Sequence, residues 1–568
     1  MRTMQKKRLL GMLAVILILL ISVIGKLSWV MIFQSDKYTK LAKDLHQRER
    51  EIKAPRGIIY DRNGVVLASN RAVCSISVIH SQITEPEKVI ESLSSLLSID
   101  AAEIRKKVEK VSAREKIKSN VPKETANEIR ALNLDGVMVD EDYKRYYPYE
   151  ELASTVLGFT GADNQGIIGL EVKYDDILQG ENGYILTMTD GKGIEIPNEE
   201  EERQEPVSGE DLYLTMDIQI QKYAQQICEK MKEAKNANRV SMIVMNPQNG
   251  ELYAMVNVPE FNLNEPYELN IKNEDQLSAE EKQEQLNKMW RNWCVSDTYE
   301  PGSTFKIVTA SAGLESGAVT LSDTFSCPGF RIVEDRRIRC HKRGGHGSET
   351  FKEGVMNSCN PVFMDVAARV GKTKMYEYYK TLGLFEKTGV DVPGEANSIM
   401  HQLKNIGAVE LATMAFGQSI QITPLQLMRA ASAVVNGGTL VTPHFAMKTE
   451  NESLEFEKKE HVISKQTSEL MKEVLEAVVS EGSGSKAKID GYRIGGKTAT
   501  SEKLPRGTGK YISSFIGFAS AENPTVMALI LIDEPEGTYY GGQIAAPAVK
   551  ELFQNILPYL GLKESFGS

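Results

Sequence analysis

Apolar residues fall into three regimes along this chain. From Leu9 to Val23 only Gly and Ser interrupt them, and Lys26 is the only charge between Arg8 and Ser35. Such a run predicts a helix that crosses a bilayer, which takes about 20 residues. A cleaved signal peptide has a shorter apolar region followed by small residues. Trp29, Met31 and Phe33 follow here, so an uncleaved anchor with an aromatic at its far interface is expected. Over residues 34–205, short β-like stretches alternate with polar helical ones at 86–97 and 101–111. Beyond 206 the pattern strengthens: a helix at 218–232, strands at 240–245 and 251–257, a helix entry at Thr423-Pro424-Leu425-Gln426, strands at 491–500, 513–519 and 526–533, and a helix at 546–556. The late strands are apolar runs bounded by Gly, Pro and Asn, as in a central antiparallel sheet. Thr423 reads as an N-cap, Pro424 as the first helical residue and Gln426 as the partner closing a capping box.

Length and charge bound the class. At 568 residues the chain exceeds a single core, and 41% hydrophobic with 25% charged residues is ordinary for globular protein. Arg2, Lys6, Lys7 and Arg8 precede the apolar run, so the positive-inside rule leaves the N-terminus cytoplasmic and exports everything after about residue 34. Residues 1–33 hold five basic and no acidic side chains, so the net charge of −10 becomes about −15 outside. That balance gives no nucleic-acid footprint. The run Glu199–Glu202 reads as a solvated loop or domain border.

The chemistry is concentrated in Glu300-Pro301-Gly302-Ser303-Thr304-Phe305-Lys306, where a Pro-Gly turn opens an apolar helix. Residues three apart share a helix face, so the Ser303 hydroxyl and the Lys306 amine lie together near the positive end of the helix dipole. Serine needs a base to become a nucleophile, and a lysine whose pKa burial lowers can serve. Ser-x-x-Lys alone recurs by chance in long proteins and marks an ordinary helix start. Here Ser358-Cys359-Asn360 comes 55 residues on, and Gly495-Gly496-Lys497-Thr498-Ala499-Thr500 lies near the C-terminal end.

In order and spacing these elements resemble the Ser-x-x-Lys, Ser-x-Asn and Lys-Thr-Gly set of penicillin-binding proteins and serine β-lactamases. One departure is Ala499, which stands where the pattern has Gly. The substrate backbone pairs closely along that strand, so the extra methyl is expected to narrow the groove. Further stretches are similar to the class B penicillin-binding proteins, the monofunctional peptidoglycan transpeptidases. They are Ala54-Pro55-Arg56-Gly57 through Gly64, Gly166-Ile167-Ile168-Gly169-Leu170-Glu171, Leu214-Thr215-Met216-Asp217 with Met245-Asn246-Pro247, and Phe416-Gly417-Gln418 through Gln426. Around Ser358 and the upstream cysteines the likeness is greatest to the sporulation branch, with the division transpeptidases as the alternative.

The resemblance implies an α+β chain: a cytoplasmic tail at 1–8, a transmembrane anchor at 9–33, an elongated β-rich pedestal of dimerisation type at 34–205, and a transpeptidase domain at 206–560 whose antiparallel sheet is flanked by helices. It implies that Ser303 attacks the penultimate D-Ala carbonyl of a peptidoglycan stem while Lys306 takes its proton. Ser358 would relay a proton between Lys306 or Lys497 and the leaving amine, and Asn360 would hold the acyl amide. Lys497, Thr498 and Thr500 would bind the substrate carboxylate, and the backbone N–H groups of Ser303 and Thr500 would form the oxyanion hole. Implied partners are stem peptides, β-lactams, the plasma membrane and a glycosyltransferase of wall synthesis; no cofactor is called for. A β-lactamase, a D,D-carboxypeptidase that passes the acyl group to water, and a non-catalytic scaffold are the competing readings.

Cys327 and Cys340 bracket a 14-residue segment before Ser358, on the oxidising side of the membrane. A disulfide between them is the expectation, worth roughly 3 kcal/mol in the chain-entropy model, with a thiol–disulfide oxidoreductase as partner. Free thiols, or zinc held by this pair with His341 and His346, are the alternatives. Cys359 is expected to point into the core.

Overall fold

The computed structural model describes residues 2–35, 37, 47–112, 114–188, 202–271 and 276–562; most of the acidic run Glu199–Glu202 lies outside them. A single helix, α1 (Arg2–Phe33), contains the apolar N-terminal run. Its stretch Lys6–Phe33 is the one helix among the described residues long and apolar enough to cross a membrane, and its Leu and Ile side chains are exposed.

The chain divides into two compact units. The first gathers Met1–Pro55, Arg71–Lys144 and Gly180–Ser208. Its helices Pro86–Leu97, Ala101–Val108 and Lys123–Ala131 turn Val89, Ile90, Leu93, Ile104 and Ile129 inward onto Ile76, Ile117 and Val121. The expected second helix stops at Val108 rather than 111, where Glu109 closes it.

The second unit gathers Arg56–Asn70, Arg145–Gln179 and Gly209–Ser568. Two stretches of the expected pedestal therefore cluster here, joined to each other by a buried ion network. Arg56 Nε donates to Glu171 Oε2 at 3.1 Å across 115 residues of sequence, and its Nη1 donates to Asp175 Oδ1 at 2.6 Å. Arg145 Nε reaches Glu171 Oε1 at 2.6 Å and Tyr147 Oη donates to the same oxygen at 3.1 Å. The side chains of Arg56 and Glu171 are wholly shielded from solvent. Two motifs that read as separate signatures are thus the halves of one structure. Removing one member of a buried pair strands the other charge, which costs about 3–5 kcal/mol. Glu171→Ala is expected to lower the urea midpoint of this unit accordingly, followed by fluorescence of Trp290 and Trp293. An unchanged midpoint would mean that the network is not holding these segments.

The core of this unit is a five-stranded antiparallel sheet of β1 (Arg239–Met245), β2 (Leu252–Val258), β3 (Ile494–Glu502), β4 (Tyr511–Ala519) and β5 (Val526–Asp533), in the order β2-β1-β5-β4-β3. Each strand reads as a nearly continuous apolar run because both faces are covered. Val240, Met242 and Val244 of β1 pack in one core with Ile220, Ala224, Leu552 and Phe553, which come from α2 (Ile218–Lys235) and the C-terminal helix Gly541–Tyr559. Ile243 and Met245 join the opposite core, with α3 (Lys306–Glu315), α4 (Asn360–Val370) and α5 (Pro424–Val435). Thr423 caps α5 in the expected box: its Oγ1 accepts from Gln426 N at 3.0 Å, and Gln426 Oε1 accepts from Thr423 N at 2.9 Å.

β3 ends the strand order, pairing with β4 alone. It carries the third motif, so the backbone edge beside that motif has no strand partner among the described residues.

Candidate active site

Ser303 lies in a 3₁₀ turn, Gly302–Phe305, that runs directly into α3 at Lys306. In a 3₁₀ turn residues three apart eclipse one another, so Ser303 and Lys306 share one face where the turn meets the helix. The turn depends on glycine. Gly302 has φ +57°, and a Cβ there would sit 2.1 Å from Ser501 Oγ. The turn is braced by the Phe416–Gln418 segment, whose Gly417 carbonyl accepts from Gly302 N at 3.0 Å, and by Glu300, which accepts from Ser419 N at 2.8 Å and Arg506 Nη2 at 2.7 Å.

Lys306 is fully buried, and its Nζ donates to the Ser358 carbonyl at 2.7 Å, Ser358 Oγ at 3.1 Å and Asn360 Oδ1 at 2.7 Å. The first two motifs therefore meet on one amine. Burial pushes Lys306 down to about 8, with the nearby Cys340, Cys359 and Glu349 opposing that fall. Ser358 reaches it through an uncommon backbone, φ +54° for a residue with a side chain. It leaves the short helix Phe351–Met356 in this left-handed turn and hands over to Cys359, the N-cap of α4. Asn360 is the first residue of α4 rather than a cap. Its Oδ1 faces Lys306 and its Nδ2 donates to the Arg339 carbonyl at 3.2 Å.

Lys497 lies on β3 with no exposed surface. Burial, and after it the charge of Lys306, hold its pKa well below the ordinary lysine value. Strand alternation puts Lys497, Ala499 and Ser501 on one face and Thr498 and Thr500 on the other. Neither threonine hydroxyl is idle: Thr498 Oγ1 donates to Ser483 Oγ at 3.3 Å, and Thr500 Oγ1 accepts from Gly541 N at 3.0 Å. Ser483 carries no sequence signal, since it stands in a polar loop with no motif around it.

The Ala499 methyl is buried beside Gly302, 3.8 Å from where a Cβ on that glycine would lie. Restoring the pattern with Ala499→Gly leaves the Thr500 backbone N–H in place. Its expected effects are a β-lactam acylation rate within about tenfold of the parent, against the 10²–10³ lost with an oxyanion donor, and a stability cost of about 0.5–1 kcal/mol for glycine in a strand. A 100-fold slower acylation would give Ala499 a direct part in the chemistry.

The cysteines bring a correction. All six are unbonded in this structure, which shows no Cys327–Cys340 disulfide. Cys359 is buried as expected, but it does not merely fill the core: its Sγ, those of Cys327 and Cys340, and a ring nitrogen of His346 lie within 4.8 Å of one another. Three thiols thus come together, with the Cys340 and Cys359 side chains hydrogen-bonded to each other. His341, expected with His346, is exposed and its Nδ1 lies 3.8 Å from Cys340 Sγ, though it is not among the four whose ligand atoms all lie within 4.8 Å of one another.

With this geometry in place, the relatives are decisive. The penicillin binding protein transpeptidase domain matches residues 240–554, and the penicillin-binding protein dimerisation domain matches residues 51–214. The chain is a class B penicillin-binding protein. Stage V sporulation protein D of Bacillus subtilis is 40% identical to it over 98% of this chain and 86% of its own length. The peptidoglycan D,D-transpeptidase FtsI of Buchnera aphidicola is 29% identical over 98% of this chain and 96% of its own. A peptidoglycan synthetase from Bifidobacterium adolescentis, 22% identical, superposes with a TM-score of 0.73 over 92% of this chain and 98% of its own, a likeness of fold. As in this class, the N-terminal apolar helix suits a membrane anchor.

Proposed function

We propose that this protein is a membrane-anchored peptidoglycan D,D-transpeptidase. The observation that carries the reading is the Lys306 amine, buried one turn after Ser303 and held by Ser358 and Asn360. Ser303 Oγ attacks the carbonyl of the penultimate D-Ala as its proton passes to Lys306, and the backbone N–H groups of Ser303 and Thr500 receive the developing oxyanion. Ser358, in contact with Lys306, relays the proton to the departing D-Ala amine. Asn360 orients the acyl amide, and Lys497 with Thr498 and Thr500 attracts the terminal carboxylate. The free edge of β3 pairs with the extended peptide in the manner of an added strand. An amine of a neighbouring stem then takes the acyl group.

The orientation follows from Lys6, Lys7 and Arg8 at the near end of the apolar helix: N-terminus cytoplasmic, everything after about residue 34 outside. Likeness to stage V sporulation protein D favours wall synthesis during spore formation, beside a glycosyltransferase that supplies the strands to be joined. Incubating the full-length chain in detergent with a D-Ala-D-Ala stem peptide and an acceptor amine tests the reaction. A crosslinked product with release of D-Ala is expected. Hydrolysis alone would make it a carboxypeptidase, rapid turnover of penicillin a β-lactamase, and no reaction a scaffold.

A further inference from the structure

We propose that the hairpin of strands Phe330–Val333 and Arg336–Arg339, together with Lys342 and Arg343, is a docking surface for the carboxylates of the acceptor stem peptide. The identity of that ligand rests on the transpeptidase reading. Residues 331–343 hold Arg331, Arg336, Arg337, Arg339, Lys342 and Arg343 against Glu334 and Asp335, a net +4 within a chain of −10. A local inversion of sign on this scale gathers anions.

Strand pairing decides which side chains are offered. Phe330 lies opposite Arg339, Arg331 opposite Ile338, Ile332 opposite Arg337 and Val333 opposite Arg336. Opposite residues share a face, and faces alternate along each strand. Arg331, Val333, Arg336 and Ile338 therefore share one face, and Phe330, Ile332, Arg337 and Arg339 the other. The first face is packed: Val333 and Ile338 sit against Met364, Ala412 and Phe416, and Arg331 grips Asp365 of α4 through two bonds of 3.0 and 2.5 Å. The second face is open. Ile332 is 67% exposed, Arg337 and Arg339 are exposed, and the Arg337 guanidinium lies over the Phe330 ring, 3.7 Å from its centroid. Stacking orders that guanidinium and leaves its fork of N–H donors for a carboxylate. Among the described residues, Arg331 alone of the six cations is paired with a carboxylate.

The packed face holds the open one beside the catalytic centre. Met364 belongs to α4, whose first residue is Asn360, and Phe416 adjoins Gly417, whose carbonyl accepts from Gly302 N at 3.0 Å. Arg339 makes the link directly: its carbonyl accepts from Asn360 Nδ2 at 3.2 Å, while its side chain belongs to the open face. The occupant follows from charge complementarity. The donor's terminal carboxylate already has Lys497, Thr498 and Thr500 on β3. Cations on the Asn360 side serve a second anion that must approach the same acyl carbonyl. The acceptor stem is that anion, since it brings the attacking amine and carries a terminal carboxylate of its own. Phe330 and Ile332 add apolar contact for its alkyl groups.

The test is equilibrium binding of a fluorescent acceptor stem to the full-length chain in detergent, after penicillin treatment to fill the donor side. At about 50 mM salt, the stem with free carboxylates is expected to bind about 5–20-fold more tightly than the same stem amidated, each exposed ion pair giving about 1.5–5-fold. At about 0.5 M salt screening should cut the preference below about twofold. The triple variant Arg337→Gln, Arg339→Gln, Arg343→Gln should bind both stems alike. Its charge-keeping counterpart Arg337→Lys, Arg339→Lys, Arg343→Lys should retain the preference, which separates lost charge from lost fold. Lys465→Gln with Lys488→Gln, exposed cations elsewhere, should retain it too. Equal binding of the two stems by the parent, or a preference that survives the triple Gln variant, would overturn the surface. In crosslinking with the same two acceptors, the preference should appear in the acceptor KM, with kcat little changed. If the free-carboxylate stem is preferred in binding but never crosslinked, the transpeptidase reading fails and the surface stands. If both stems bind and crosslink alike, the surface fails and the transpeptidase reading stands.

Discussion

Ser303→Ala is expected to abolish covalent labelling by a fluorescent penicillin while leaving the fold intact. The expectation rests on position. Ser303 is the hydroxyl at the start of the buried helix that carries Lys306, and the Lys306 amine is held by the first residue and the third of the Ser-x-Asn motif. Ser358 is the nearest rival, since its Oγ lies 3.1 Å from the same amine. It sits in a strained turn behind the lysine, however, and has no neighbouring backbone donors placed for an oxyanion. Ser358→Ala should therefore slow acylation without removing it, by roughly the 10²–10⁴ of a proton-transfer group. Peptide mapping of the penicilloyl adduct decides: an adduct on Ser303 in the parent and none in Ser303→Ala is the expected result. Labelling that survives Ser303→Ala and maps to Ser358 would reverse the two roles.

The two halves of this site were not equally legible in the sequence. Ser303 and Lys306 are three residues apart, so local helix geometry alone joins them. The strands of the sheet were readable because long apolar runs bounded by Gly, Pro and Asn leave few alternatives. The C-terminal helix was expected to begin at 546. It begins at Gly541, where the Gly541 N–H finds Thr500 Oγ1 at 3.0 Å, a contact between segments 41 residues apart. Arg56 and Glu171 could be recognised as family signatures but not as partners. No local pattern encodes a pair separated by 115 residues, and only burial of both charges forces them together. Cys359 was assigned to the core for a similar reason. In sequence it is a small residue between two polar ones, and its proximity to Cys327, Cys340 and His346 arises from the left-handed turn at Ser358.

The same buried amine sets the pH dependence of the reaction. Burial pushes Lys306 down to about 8 from an ordinary 10.5, so a useful fraction is neutral near physiological pH and can accept the Ser303 proton. The second-order rate of penicillin acylation is therefore expected to climb with pH through a single ionisation near 8 and level off above it. Lys306→Ala should cost about 10²–10⁴ in that rate and flatten the profile, because the group that titrates has gone. The shift also carries a stability term of definite sign. Below about 8 both the folded and the unfolded chain hold the proton, so the penalty for burying the charge is felt in full. Between about 8 and 10.5 the unfolded chain binds more protons than the folded one, and stability rises with pH across that window. Lys497 is pushed the same way by burial and by the neighbouring Lys306 charge, which opens a second possibility for the base. If Lys306→Ala kept a rising profile, with only a modest loss of rate, proton transfer would run through Lys497 and Lys306 would serve to position Ser358 and Asn360.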